Sequence, residues 1–181
     1  MQRHPKSGPF GFAFLAALSL GLLSCVTPDA KAQGLSADPF VAQVTGEWLG
    51  RAEYDGNALT RTRSWTLELQ GQFLRADMRV GMPNGFSFGA LMYWSGVAPD
   101  LYEIVWMDGT GRCQSLRATR DPDSGLVSTT YLDEFAEGGP EWRTWEFESL
   151  GPNSYVERLF KVLAEGRELL TVFSFDRDEG S

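Results

Sequence analysis

From Gly46 onward, apolar and polar residues alternate in short runs, and each run stops at a cluster of Gly, Pro, Asn or Asp. Trp65, Leu67 and Leu69 alternate with Thr66 and Glu68. Tyr102, Ile104 and Trp106 share one face, and Leu169, Thr171, Phe173 and Phe175 share another. A period of two marks strands with one buried face. Turn signals fall at Asp55-Gly56-Asn57, Gly71, Pro83-Asn84-Gly85 and residues 96–100. More fall at residues 108–111, 121–125, 137–140 and 151–153, and at Glu165-Gly166. These nine turns leave ten runs of similar length. No connection is long enough for a helical crossover, so the strands are antiparallel. A ten-stranded meander must hide its edges, and closure does so. The expected fold is all-β: an antiparallel closed up-and-down barrel of about ten strands over residues 46–178. A two-sheet sandwich is the alternative. An outer-membrane barrel is excluded, because its outward faces would carry Arg and Glu with no apolar band.

Before the barrel, residues 33–45 read as a linker and a short N-terminal helix. Ser36 is placed to cap it and Pro39 suits its first turn, while Phe40, Val41 and Val44 fall on one face. Residues 1–32 have the layout of a signal peptide. Arg3 and Lys6 precede an uncharged apolar run over residues 10–23, shorter than a membrane span of about 20 residues. Pro28-Asp29-Ala30-Lys31-Ala32 suits cleavage before Gln33. Leu22-Leu23-Ser24-Cys25 suits a lipoprotein signal over residues 1–24 with Cys25 acylated. An uncleaved anchor is the third alternative. Each places the domain outside the cytoplasm, either periplasmic or secreted, or anchored to the membrane by lipid.

Either cleavage leaves Cys113 without a partner for a disulfide, and its strand position reads as a small buried hydrophobe. Beyond residue 32 the chain has 13 basic and 23 acidic residues, a net charge of −10. That balance disfavours nucleic acid and anionic lipid surfaces as partners.

Gly46-Glu47-Trp48 on the first strand, following a short helix, resembles the G-x-W element of the calycin superfamily, the lipocalins and fatty-acid-binding proteins. In that superfamily a basic residue near the end of the last strand lies across the Trp. Arg177, in Phe173-Ser174-Phe175-Asp176-Arg177, occupies the matching place. The resemblance implies that Trp48 and Arg177 close the barrel floor through a cation–π contact. More narrowly, the chain is similar to an uncharacterised bacterial family of calycin-like domains with no agreed activity. Trp48, Gly71-Gln72-Phe73-Leu74, Trp106-Met107-Asp108, Gly111, residues 154–160 and Arg177 carry this match. Tyr93-Trp94-Ser95-Gly96 departs from it, standing where Gly-Tyr-Asp is expected.

His4, inside the signal segment, is the only histidine. Its position there removes the His-ligated haem of nitrobindin-like barrels, His-type zinc sites and Ser-His-Asp or Cys-His catalysis. No metal site or cofactor is expected. The Asp121-Pro122-Asp123-Ser124-Gly125 segment lacks the rest of a calcium loop and reads as a turn.

The expected function is binding of a small apolar or amphipathic molecule in the lumen. Trp65, Trp94, Trp106 and Tyr131 are the candidate aromatic lining, and Glu157 is the candidate polar anchor, with Arg75 as its partner. Glu157 shares a face with Tyr155 and Leu159, opposite Arg158, and alternation does not choose which face points inward. The other placement puts Glu157 in solvent beside Lys161. The competing functions are a His-independent enzyme using a lumenal carboxylate and an interaction module with a filled barrel.

Overall fold

A computed structural model describes residues 34–54, 57–81, 85, 87–134, 136 and 138–178. Residues 1–33, with His4 and Cys25 and both expected cleavage sites, lie outside the described residues.

Ten antiparallel strands follow one another around a closed barrel. They are β1 (Gly46–Tyr54), β2 (Asn57–Glu68), β3 (Phe73–Gly81), β4 (Ser87–Ala98) and β5 (Leu101–Asp108). The rest are β6 (Cys113–Arg120), β7 (Val127–Asp133), β8 (Glu141–Gly151), β9 (Ser154–Leu163) and β10 (Gly166–Arg177). Each strand pairs with its sequence neighbours, and β1 pairs with β10 to complete the circle. All nine predicted turns fall between strands, with one adjustment. Gly96 sits inside β4, at a register shift between Gly96 and Ala98, and the chain reverses at Pro99-Asp100 instead. Asp100 adopts a left-handed conformation there (φ 59°), which Asp tolerates better than most residues.

Helix α1 (Pro39–Val44) plugs one end. Its cap is Asp38 and not Ser36, which lies in a preceding 3-10 turn (Leu35–Ala37). Asp38 Oδ1 accepts from Phe40 N at 2.8 Å and Val41 N at 3.2 Å, while Oδ2 accepts from the Tyr102 hydroxyl at 2.8 Å. One carboxylate therefore caps the helix and ties it to β5. Phe40 then enters the barrel and meets Trp65, Trp94, Tyr102 and Phe147, with ring centroids 5.5–6.2 Å apart. These aromatics form a dense floor.

The seam beside this floor shows why Trp48 stands between two glycines. Trp48 is buried and pairs in register with Arg177. The Arg177 guanidinium lies 4.4 Å from the indole centroid and donates to the carbonyls of Gln43, Thr45 and Pro152. A Cβ at Gly46 (φ +126°) would come within 2.5 Å of Arg177 Nη1, and one at Gly50 would overlap the Phe175 ring. Phe175 in turn stacks on Tyr155 with centroids 4.6 Å apart. The first glycine admits the cation and the second admits the stacked pair.

Three further sequence expectations change. Leu69 leaves the face of Trp65 and Leu67, because it lies in a 3-10 turn after β2 (φ 48°) and is exposed. Leu169 does not share the inward face of Phe173 and Phe175, because a bulge between Leu169 and Thr171 turns it out to 52% exposure. Cys113 is exposed and not buried. Its neighbours Gln114 and Leu116 take the inward positions of β6 and line the lumen, which leaves Cys113 on the outer face.

Trp48→Ala should cost about 3–5 kcal/mol of unfolding free energy. Arg177→Ala should cost less, and a double-mutant cycle in urea should give a coupling of about 0.5–2 kcal/mol. Strict additivity would show that the cation–indole contact contributes nothing.

Candidate functional site

The inward residues change character from floor to mouth. Along β9 they run Tyr155, Glu157, Leu159, Lys161; along β8, Phe147, Trp145, Arg143, Glu141; along β2, Trp65, Arg63, Arg61, Leu59. The aromatic floor comes first, then a layer of charge, then an open lumen and a polar rim.

The charge layer is a buried triad. Glu157 is 1% exposed, and its two oxygens accept from different arginines. Oε2 takes Arg61 Nη1 at 3.0 Å and Oε1 takes Arg63 Nη1. Both arginines come from β2, on the far side of β1 and β10 from β9. They reach across because β1 presents only Gly50 and Ala52 above Trp48, with Gly50 paired to both Arg61 and Phe175. An isolated buried charge would be prohibitive, and the triad answers that with ion pairs and ring faces. Arg63 is fully buried. Its Nη2 contacts Met78 Sδ at 3.1 Å, and its guanidinium lies 5.2–5.8 Å from the rings of Trp65, Trp145, Phe147 and Phe175. Arg61 rests on Phe173 at 3.7 Å.

Above the triad lies a cavity of about 270 Å³. Its polar base is Arg61 and Glu157. Its apolar walls are Met78, Trp106, Leu116, Tyr131, Trp145, Leu159 and Phe173, and Asp108, Arg112, Gln114, Asp133 and Arg143 stand at the mouth. Burial holds the Tyr131 phenol up at about 12, so it faces the cavity as a neutral hydroxyl. The mouth charges pair among themselves. Arg143 meets Asp133 at 3.0 Å and Glu141 at 2.7 Å, and Lys161 meets Glu141 at 2.6 Å. Asp108 accepts from the backbone of Thr110 and Arg112; together with the Thr110 hydroxyl and the Arg112 charge, these bonds lower its pKa against the opposing effect of desolvation.

The candidate residues named from sequence therefore separate. Glu157, Trp106 and Tyr131 line the cavity. Trp65 and Trp94 do not. They lie beneath it, 1% and 0% exposed, packed on Phe40. Arg75 is not the partner of Glu157: it lies on the outer face of β3, bonded to Glu68 at 3.2 Å and Asp77 at 2.9 Å. On β3 the apolar alternates Leu74, Ala76 and Met78 take the interior, which forces Arg75 out. Arg61 and Arg63 were not among the candidates. Their signal was period two itself, since both fall in step with Leu59 and Trp65 on one face.

No protein-family model matches the chain, and no curated protein matches it. Among solved structures, Rv2717c from M. tuberculosis superposes with a TM-score of 0.56 at 11% identity, covering 77% of this chain and 96% of that one. A de novo designed fluorescence-activating β-barrel gives 0.42 at 13% identity, covering 76% and 96%. The redesigned barrel mFAP1, solved bound to DFHBI, gives 0.41 at 6% identity, covering 76% and 97%. The similarity to Rv2717c concerns the fold.

Glu157→Gln should separate the buried triad from ordinary surface pairs. It leaves two interior guanidiniums without a counter-charge, and urea denaturation should show a loss of about 3–5 kcal/mol. Arg75→Gln, on the outer face, should cost no more than about 1 kcal/mol. Equal effects would mean that the triad is solvated as a surface pair is.

Proposed function

We propose that this protein is an exported barrel of calycin type that binds a small apolar or amphipathic molecule in its lumen. The observation that carries the reading is the cavity. The lower barrel is packed solid with aromatics, yet about 270 Å³ above the triad is left unfilled. Interiors are normally packed to the density of organic crystals, and a void this size forfeits contacts unless something occupies it. The cavity lies just below the usual range for ligand pockets, about 300–1,000 Å³, and has their composition: apolar walls and a few convergent polar groups. The volume suits one or two rings or a short chain, not a long lipid.

The filled-barrel alternative is disfavoured by the same space. The enzymatic alternative is disfavoured by the engagement of Glu157. Both carboxylate oxygens accept from guanidiniums, so neither is free to take or deliver a substrate proton. The calycin assignment is supported by the Gly46-Glu47-Trp48 strand and the Arg177 guanidinium over its indole.

Native mass spectrometry of protein purified from its own host should reveal a retained organic molecule. Leu159→Trp, which extends an indole into the cavity, should reduce that retention by about tenfold or more with an unchanged far-ultraviolet spectrum. A wild-type protein that carries nothing and binds no apolar probe such as 2-naphthol would end the reading.

Export is part of the proposal, and the Arg3, Lys6 and residue 10–23 pattern supports it. Fractionation should find the protein in the periplasm, the envelope or the medium. An N-terminus at Gln33 would identify ordinary cleavage, and a blocked Cys25 would identify a lipoprotein. An intact chain in the cytosol would contradict export.

A further inference from the structure

We infer that the lumen selects an anionic ligand, a small aromatic or short aliphatic acid whose charged group completes the cluster of Arg61, Arg63 and Glu157. This rests on the reading of the lumen as a binding site and adds the chemical class of its occupant. The basis is a charge count by depth. At the rim, Arg112, Arg143 and Lys161 face Asp108, Asp133 and Glu141, and Glu168 stands opposite Lys161 in register, so no positive charge is in excess there. In the buried layer two guanidiniums share one carboxylate. One positive charge is left over, in the part of the barrel least able to solvate it.

The two arginines differ in how that surplus is met. Arg63 is enclosed by four ring faces, each attractive to a cation. Arg61 has one ring beneath it, one oxygen of a shared carboxylate, and the cavity above. Its Nε is buried without a partner, as are the Nε of Arg63 and the hydroxyl of Thr171, but of the two arginines only Arg61 lines the cavity. Buried donors are seldom left open, and each one costs free energy until it is met. Burial also pushes the Arg61 pKa down to about 10 even with Glu157 beside it, so the layer as it stands does not fully compensate its charge. A carboxylate or sulfonate supplies what is missing: a negative charge and acceptors for a planar guanidinium fork. The body attached to that group would lie against Trp106, Tyr131, Trp145, Leu116 and Leu159.

Surface charge does not account for such a preference. The chain carries a formal net charge of −8, so its long-range field repels anions. Selection for an acid has to come from the interior layer.

The test compares 2-naphthoate with 2-naphthamide, a neutral molecule of nearly the same shape, by calorimetry at neutral pH on the wild-type protein. The acid should bind about tenfold tighter or better, a preference equal to at least one well-formed charged contact. R61M leaves Arg63 and Glu157 as a balanced pair, and in it the acid-to-amide ratio should fall to about one. Equal binding of acid and amide to the wild type would overturn the charge inference and leave the lumen reading standing. Binding of neither probe would overturn both. An acid preference that survives in R61M would overturn the role given to Arg61. The wild-type ratio decides the matter even if the variant does not fold.

Discussion

A meander of ten strands has two free edges, and the rest of this molecule depends on the seam where they meet. β1 and β10 must join in one register, because a slip of one residue would exchange the inward and outward faces along the seam. Trp48 opposite Arg177 specifies that register chemically. The indole needs a buried site, the guanidinium needs its face and three carbonyls, and both needs are met at one offset. The same carbonyls belong to the end of helix α1 and the β8–β9 turn, so closing the sheet also seats the plug.

The zoning of the interior follows from what the seam strand leaves out. Above Trp48, β1 offers Gly50 and Ala52, and this low wall allows Phe175 to stack on Tyr155 and Arg61 to reach Glu157. A larger inward residue at position 50 would strike Phe175 first. Closure and charge layer are therefore linked through one glycine, and the aromatic floor excludes water from below the triad, so each of its charges depends on its partners. Removing a partner leaves charge stranded in that environment, where ion pairs are at once strong and unforgiving.

Much of the fold was legible because turns are chemically distinctive. Gly, Asn, Asp and Pro mark all nine reversals, and alternation marks the strands between them. Local pattern was insufficient where two strands compete for a face. On β3 the choice was readable, since Leu74, Ala76 and Met78 form a wholly apolar set and the charged set must go outside. On β9 both sets are mixed, Tyr155, Glu157 and Leu159 against Val156, Arg158 and Phe160, so burial of Glu157 depends on partners 94 and 96 residues away. The bulge at Leu169 is likewise a product of pairing and leaves no local mark. Arg61 and Arg63 were visible in step with Trp65, but an arginine in an apolar register reads as an outer face until its carboxylate is known.

The fold does not by itself specify a ligand. Rv2717c reaches the same architecture at 11% identity, so closure and meander can be kept while nearly every side chain changes. The charge layer of this barrel is placed on two strands: Arg61 and Arg63 on β2, and Glu157 on β9. A purely structural layer at this depth would be simpler as packed hydrocarbon, since replacing a buried ion cluster with apolar residues of similar volume is often neutral or stabilising. Retaining three ionised groups there, with one charge uncompensated and both arginine Nε donors open, is hard to explain by stability alone. It is readily explained by an occupant that brings the missing charge.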